Sequence, residues 1–172
     1  AYTYGTNLGA QSNKSITTVN IIDSAKITND LKRYREMGAE LIIVYFHFGN
    51  EYQRLENNYQ RKTEAIALKA GADIIIASHP HVIQPVRFYS DSSANIDTGF
   101  TAYSLGNFIS NQRWRYSDCG VIINFSISRP DTSRKFSLGK VKYLLVWIYK
   151  GNIGKNREYK IIPQNFKETA VS

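Results

Sequence analysis

Two apolar runs constrain the fold of this chain more than any other feature. They are Leu41-Ile42-Ile43-Val44-Tyr45-Phe46 and the stretch from Asp73 through Ile74, Ile75 and Ile76 to Ala77. Continuous apolar character without alternation predicts strands buried on both faces. Each run is preceded by a helical pattern. Ile27, Leu31, Tyr34 and Met37 recur at helical spacing and are closed by Gly38, and Tyr59, Thr63, Ile66, Ala67 and Ala70 are closed by Gly71. With a short β-branched strand expected over 18–23, the order is strand, helix, strand, helix, strand. That order predicts a parallel α/β sheet with its functional loops at the carboxyl ends of the strands.

The texture changes after residue 85. Stretches 86–89, 100–104, 120–128, 138–149 and 158–162 read as strands separated by Gly, Asn, Asp and Ser, and this half is expected to be antiparallel. Polar loops are expected over 91–98 and 129–135, and a hairpin turn over 150–154. No internal repeat divides the 172 residues, so one α/β (α+β) domain is expected.

Composition narrows the classes. A hydrophobic fraction of 42% excludes general disorder, and no stretch reaches the roughly 18–20 apolar residues of a membrane helix. The N-terminus has neither the basic nor the apolar region of a signal peptide and lacks an initiator Met. The expectation is therefore a processed or excised chain whose targeting segment is lost. Cys119, the single cysteine, excludes an internal disulfide and a Cys-based zinc site and reads as a small packed residue. The net charge of +8 is uneven. Residues 1–112 carry 10 Lys/Arg and 10 Asp/Glu, whereas residues 113–172 carry 12 and 4. The basic last third either attracts a polyanion or is a solubilising face.

The chain has three histidines, and all follow buried strands: His47 after the first run, His79 and His81 after the second. Parallel neighbours bring these ends to one edge of a sheet, where imidazoles suit a divalent metal. Pro80 is expected to keep the Ser-His segment extended, so that both rings of the pair face one site. Glu51, four residues after His47, could orient a histidine, accept a proton or bind substrate. Gly106-Asn107 reads as a turn in which Asn107 either contacts the site or fixes the loop.

Taken in order, His47-x-Gly49-x-Glu51-Tyr52, Gly71-Ala72-Asp73, Ser78-His79-Pro80-His81-Val82, Gln84-Pro85 and Tyr103-Ser104-Leu105-Gly106-Asn107-Phe108 resemble the CapA family. These are the bacterial poly-gamma-glutamate capsule biosynthesis proteins. The resemblance covers roughly residues 1–128 and includes Tyr4-Gly5-Thr6-Asn7. It implies a calcineurin-like metallophosphoesterase sandwich, here incomplete. It assigns His47, His79 and His81 as ligands of divalent metal ions (Mn, Fe or Zn); Glu51 and Asn107, nominated from their own positions, stand beside them as catalytic candidates.

The superfamily's Asp-x-His, Gly-Asp and Gly-Asn-His/Glu motifs do not occur ahead of His47, and Ala77-Ser78 stands where a Gly is preferred. Residues 1–172 are thus expected to be the C-terminal portion of the domain, inactive alone and partnered by the missing N-terminal half. For the intact protein the resemblance leaves two functions open: a metal-dependent phosphoesterase-like hydrolase, or a non-catalytic capsule assembly and export factor. The implied location is the cell envelope, membrane-associated or extracytoplasmic. The implied partners are other capsule synthesis proteins and an anionic polymer such as poly-gamma-glutamate. No nucleic acid is expected, because no base-stacking motif is present.

Overall fold

Asp23 opens the first helix by accepting a hydrogen bond from Lys26 N at 2.7 Å, as an N-cap side chain should. The structure is a computed structural model that describes residues 1–6, 19–90, 94–129, 135–154, 156–164 and 167–169. Helix α1 is Ser24–Glu36, and Gly38 ends it in the left-handed region at φ +94°. Helix α2, Asn58–Lys69, begins with a reciprocal capping box between Asn57 and Gln60.

Five strands make the main sheet: β1 (Tyr2–Thr3), β2 (Ile43–His47), β3 (Ile74–Ser78), β4 (Val86–Tyr89) and β5 (Gly99–Ala102), in the order β1-β2-β3-β5-β4. The first three in that order and β5 run parallel, and β4 is antiparallel at the edge. The stretch expected over 100–104 therefore extends the parallel sheet, because its β4 partner supplies the reversal. The expected strand over 18–23 is reduced to a parallel bridge between Ile21 and Thr3, with Thr18 outside the described residues.

Strands β6 (Cys119–Asn124), β7 (Ile127–Ser128), β8 (Ser137–Leu138), β9 (Val141–Ile153), β10 (Asn156–Pro163) and β11 (Lys167–Thr169) are antiparallel where they pair. The hairpin between β9 and β10 is tighter than 150–154, since Ile153 already pairs with Asn156; Lys155 lies outside the described residues. Residues 91–93 and 130–134, within the two expected polar loops, also lie outside them.

The helices cover one face of the parallel sheet. Ile27 and Leu31 pack there with Val44, Phe46, Ile75 and Ala77. Tyr34 and Met37, expected on the same helix face, are exposed, and Arg35 takes the inward position at that end of α1, where it reaches Gly71 O and Asp73. Phe46 is fully buried, and its truncation to Ala would cost about 3–5 kcal/mol. On the opposite face Ile74, Phe100 and Ala102 pack with Val141 and Phe125. That second cover stops short of β2, where Ile43 is 48% and Tyr45 is 42% exposed. The first apolar run is thus buried on one face only, contrary to its uniform composition.

Asp73 locks the start of β3. Its side chain, 1% exposed, accepts from Ile42 N at 2.7 Å and Asn95 N at 3.2 Å and pairs with Arg35 of α1. One buried carboxylate therefore fixes the helix, the loop before β2 and the loop before β5. The strand ends beyond it are set accordingly.

Candidate functional site

His47 is the last residue of β2 and lies between Thr3 and Ser78 in the register of the parallel sheet. His79 follows β3 directly. The ring centroids of His47 and His79 are 4.6 Å apart, and those of His79 and His81 are 6.0 Å apart. The three histidines do converge on one edge of the sheet. The route differs from expectation, because the Ser-His-Pro-His segment is not extended: His79 has φ +113° and His81 φ +60°. Two left-handed residues wrap the chain into a turn and bring both rings onto the Glu51 side. Such conformations cost of order 1–3 kcal/mol each and persist only where the surroundings enforce them.

Those surroundings are identifiable. Tyr52 N donates to Pro80 O at 2.8 Å, pinning the Glu51 loop onto the histidine turn. Gly49, at φ +109°, faces the Gln60 amide so closely that an added Cβ would stand 2.8 Å from it. Gln60 Nε2 donates to Gln84 Oε1 at 2.8 Å, and Gln84 Nε2 donates to Gln53 O and Leu55 O at 2.8 and 3.0 Å. This buried amide chain shapes the 49–55 loop. Gln84 was part of a sequence motif but carried no assigned role, and Gln60 had no signal beyond its place near a helix start.

Within this frame Glu51, His79 and His81 each offer a ligand atom within 4.8 Å of the others. His81 Nε2 lies 3.6 Å from Glu51 Oε1. His47 stands beside this trio rather than within it, and Tyr4 lies over both His79 and His47, with centroids 4.4 and 5.7 Å away. Asn7, of the same segment, lies outside the described residues.

Hydrogen bonding fixes the tautomers. Asn107 Nδ2 donates to the Ser117 carbonyl at 2.8 Å and to Gln112 Oε1 at 3.1 Å. A carbonyl cannot donate, so the Asn107 amide has one orientation, and its Oδ1 faces His81 Nδ1 at 3.0 Å as an acceptor. His81 therefore carries a proton on Nδ1, which leaves Nε2, turned toward Glu51, as the ring nitrogen that would take a metal. The same logic holds at His47. Thr3 Oγ1 donates to Gly5 O at 2.9 Å, so it accepts from His47 Nδ1 at 3.0 Å. Asn107 thus fixes its loop and touches the site at once.

Burial holds the His47 imidazole below its ordinary pKa, helped by His81. Burial does the same to His79, with the His47 ring adding to it and the Glu51 carboxylate opposing it. Neutral rings with outward-facing lone pairs beside a carboxylate are the donor set of a borderline divalent cation such as Mn, Fe or Zn, so the residues present fit one such ion.

A family model described as bacterial capsule synthesis protein PGA_cap matches residues 1–112. The chain belongs to that family. Two CapA proteins are similar to it: the PGA biosynthesis protein CapA of Bacillus subtilis (strain 168), 32% identical over 96 residues, and the capsule biosynthesis protein CapA of Bacillus anthracis, 33% identical over 95 residues. The alignments cover 56% and 55% of this chain but only 23% and 21% of those proteins. The matched region of this PGA_cap chain contains all five candidate site residues, His47, Glu51, His79, His81 and Asn107. Among the described residues, no helix is long and apolar enough to cross a membrane.

Proposed function

We propose that this chain serves poly-gamma-glutamate capsule biosynthesis or export and carries a metallophosphoesterase-like site for divalent metal. The observation that carries the reading is the trio of Glu51, His79 and His81, gathered within 4.8 Å beside His47 at the carboxyl ends of parallel strands. His79, His81 and Glu51 would hold one ion, with His47 facing a second. Bound divalent metals would polarise a phosphate ester and acidify a water. The chain's own part is to keep the Nε2 lone pairs of His47 and His81 turned outward and to hold Glu51 against them.

A two-metal centre needs more ligands than these. We assign the remainder to an N-terminal half of a sandwich domain, of which residues 1–172 would be the C-terminal portion. The open β2 face with Ile43 and Tyr45 is where that half would pack. The names of the Bacillus relatives support a place at the cell envelope, alongside other capsule synthesis proteins.

Calorimetric titration with Mn²⁺ and Zn²⁺ tests the centre. One ion should bind, and His79→Ala should abolish binding while the melting transition stays cooperative. A chain that takes up neither ion, or whose His79→Ala variant binds as before, refutes it. Hydrolysis of a generic phosphodiester by a version spanning both halves separates the enzyme from the alternative, a non-catalytic polyanion-binding envelope factor. The alternative draws on the 12-to-4 excess of cations over anions in residues 113–172.

A further inference from the structure

Glu51 is the candidate ligand that burial restrains least. Its side chain is 49% exposed, against 29% for His81. An exposed glutamate has rotamers to lose on taking an ion, so a neighbour that holds its carboxylate in place strengthens the site.

Tyr52, the next residue, is itself held firmly. It stands at φ +62°, and its N donates to Pro80 O at 2.8 Å. Its ring lies between those of His81 and Trp114, with centroids 5.9 and 5.8 Å away. Its hydroxyl oxygen is 3.1 Å from Gln112 Nε2. The direction of that bond is fixed. Asn107 Nδ2 donates to Gln112 Oε1 at 3.1 Å, so the Gln112 amide turns its Nε2 to Tyr52, whose oxygen accepts. The phenol proton is then free for another acceptor. The Glu51 carboxylate takes it: after desolvation, the Glu51 charge and a hydrogen bond to that carboxylate raise the Tyr52 phenol above its ordinary range.

These bonds close into a ring. His81 Nδ1 donates to Asn107, Asn107 to Gln112, Gln112 to Tyr52 and Tyr52 to Glu51, whose Oε1 faces His81 Nε2 at 3.6 Å. All the donors point one way round, so each bond polarises the next. We propose that Tyr52 is a positioning residue for the metal centre, its hydroxyl, backed by Gln112, fixing the Glu51 carboxylate where it meets an ion together with His79 and His81. The inference deepens the proposed function and rests on its metal reading. The hydroxyl is separable from the fold, because a phenylalanine would keep the ring between His81 and Trp114 and adopt the same backbone.

The test is calorimetric titration of the whole chain and its variants with Mn²⁺ and Zn²⁺. Tyr52→Phe should weaken binding about tenfold. Gln112→Ala leaves the hydroxyl beside the charge it prefers but without its holder, and should cost about threefold. The double variant should lose no more than Tyr52→Phe alone, since Gln112 reaches the carboxylate through that hydroxyl. Tyr159→Phe removes a hydroxyl bonded to Asn111 Oδ1 at 3.0 Å, beside Gln112 but outside the ring, and should bind as wild type. Thermal melts check that each variant is folded. Co²⁺ serves as a visible probe: a carboxylate released by Tyr52→Phe changes the shape of the absorption per bound cobalt, whereas general loosening lowers occupancy and leaves that shape alone. Wild-type affinity in Tyr52→Phe, an equal loss in Tyr159→Phe, summed losses in the double variant, or an unaltered cobalt spectrum would each overturn the role of Tyr52 and leave the centre standing. A wild-type chain that binds neither ion removes the centre, and this role with it.

Discussion

Asn107→Ala tests how far the site depends on a hydrogen bond one residue away from the proposed ligands. The substitution removes donors to Ser117 O and Gln112 Oε1 and the acceptor for His81 Nδ1, while Asn107 N still bonds Cys119 O at 3.1 Å. Ser117 is buried, so its carbonyl loses a partner that water replaces poorly, which costs about 1–2 kcal/mol. The Gln112 and His81 contacts are half-exposed and add little. At roughly 2–4 °C per kcal/mol for a chain of this size, melting should fall by about 2–8 °C.

The metal effect should be larger than the stability effect. With no acceptor at Nδ1, the His81 proton can move to Nε2 and the ring can turn, and losing such a support typically costs about 10–100-fold in metal affinity. Asn107→Asp separates the two consequences. It keeps an acceptor for Nδ1–H but faces two oxygens with no proton to give, so it should destabilise at least as much yet bind Mn²⁺ close to wild type. Differential scanning fluorimetry and calorimetric titration read both quantities. If Ala and Asp lose metal equally, or neither loses any, the tautomer argument is wrong.

Two further outcomes follow from the same residues. His81→Gly should be more stable than His81→Ala by about 1 kcal/mol in chemical denaturation, because both lack the ring and only Ala strains at φ +60°; the usual preference for Ala would refute a left-handed His81. His47 and His79 titrate below the ordinary imidazole value near 6.5, so the folded chain binds fewer protons than the unfolded one around and below that pH, and stability in chelator should rise with pH up to about 7 and level off. His47→Gln should flatten that rise, whereas the Asp30 and Asp97 carboxyls, held low, act only in more acid solution.

The parallel core was legible because its signals are local. Glycines stop both helices, and β-branched runs fill β2 and β3. Burial was less legible, since Ile43 and Tyr45 have the composition of covered residues and only the extent of the second layer decides their exposure. The direction of β5 was hidden for a similar reason: strand character does not say on which side the neighbour lies. Among site residues, His47, His79, His81 and Glu51 could be nominated from their place after strands. Gln60 and Gln84 could not, because their meeting spans 24 residues and buried amides have no sequence periodicity.

The left-handed histidines show why spacing alone could not give the site's geometry. An extended His-x-His pair would place both rings on one side by alternation, and the chain reaches a comparable convergence by a turn that spends strain at His79, His81 and Tyr52, all at positive φ. That strain has to be offset nearby. The Tyr52–Pro80 backbone bond, the Gln60–Gln84 amide chain and the Asn107–His81 contact all close on this turn. They come from α2, from the segment after β3 and from the loop after β5, so the turn holds its shape only when those elements are docked. A relaxed loop could carry the same residues without the same arrangement. The donor set at this sheet edge is therefore a property of the folded core, and changes at Gln60 or Gln84, which touch no ligand, should disturb it.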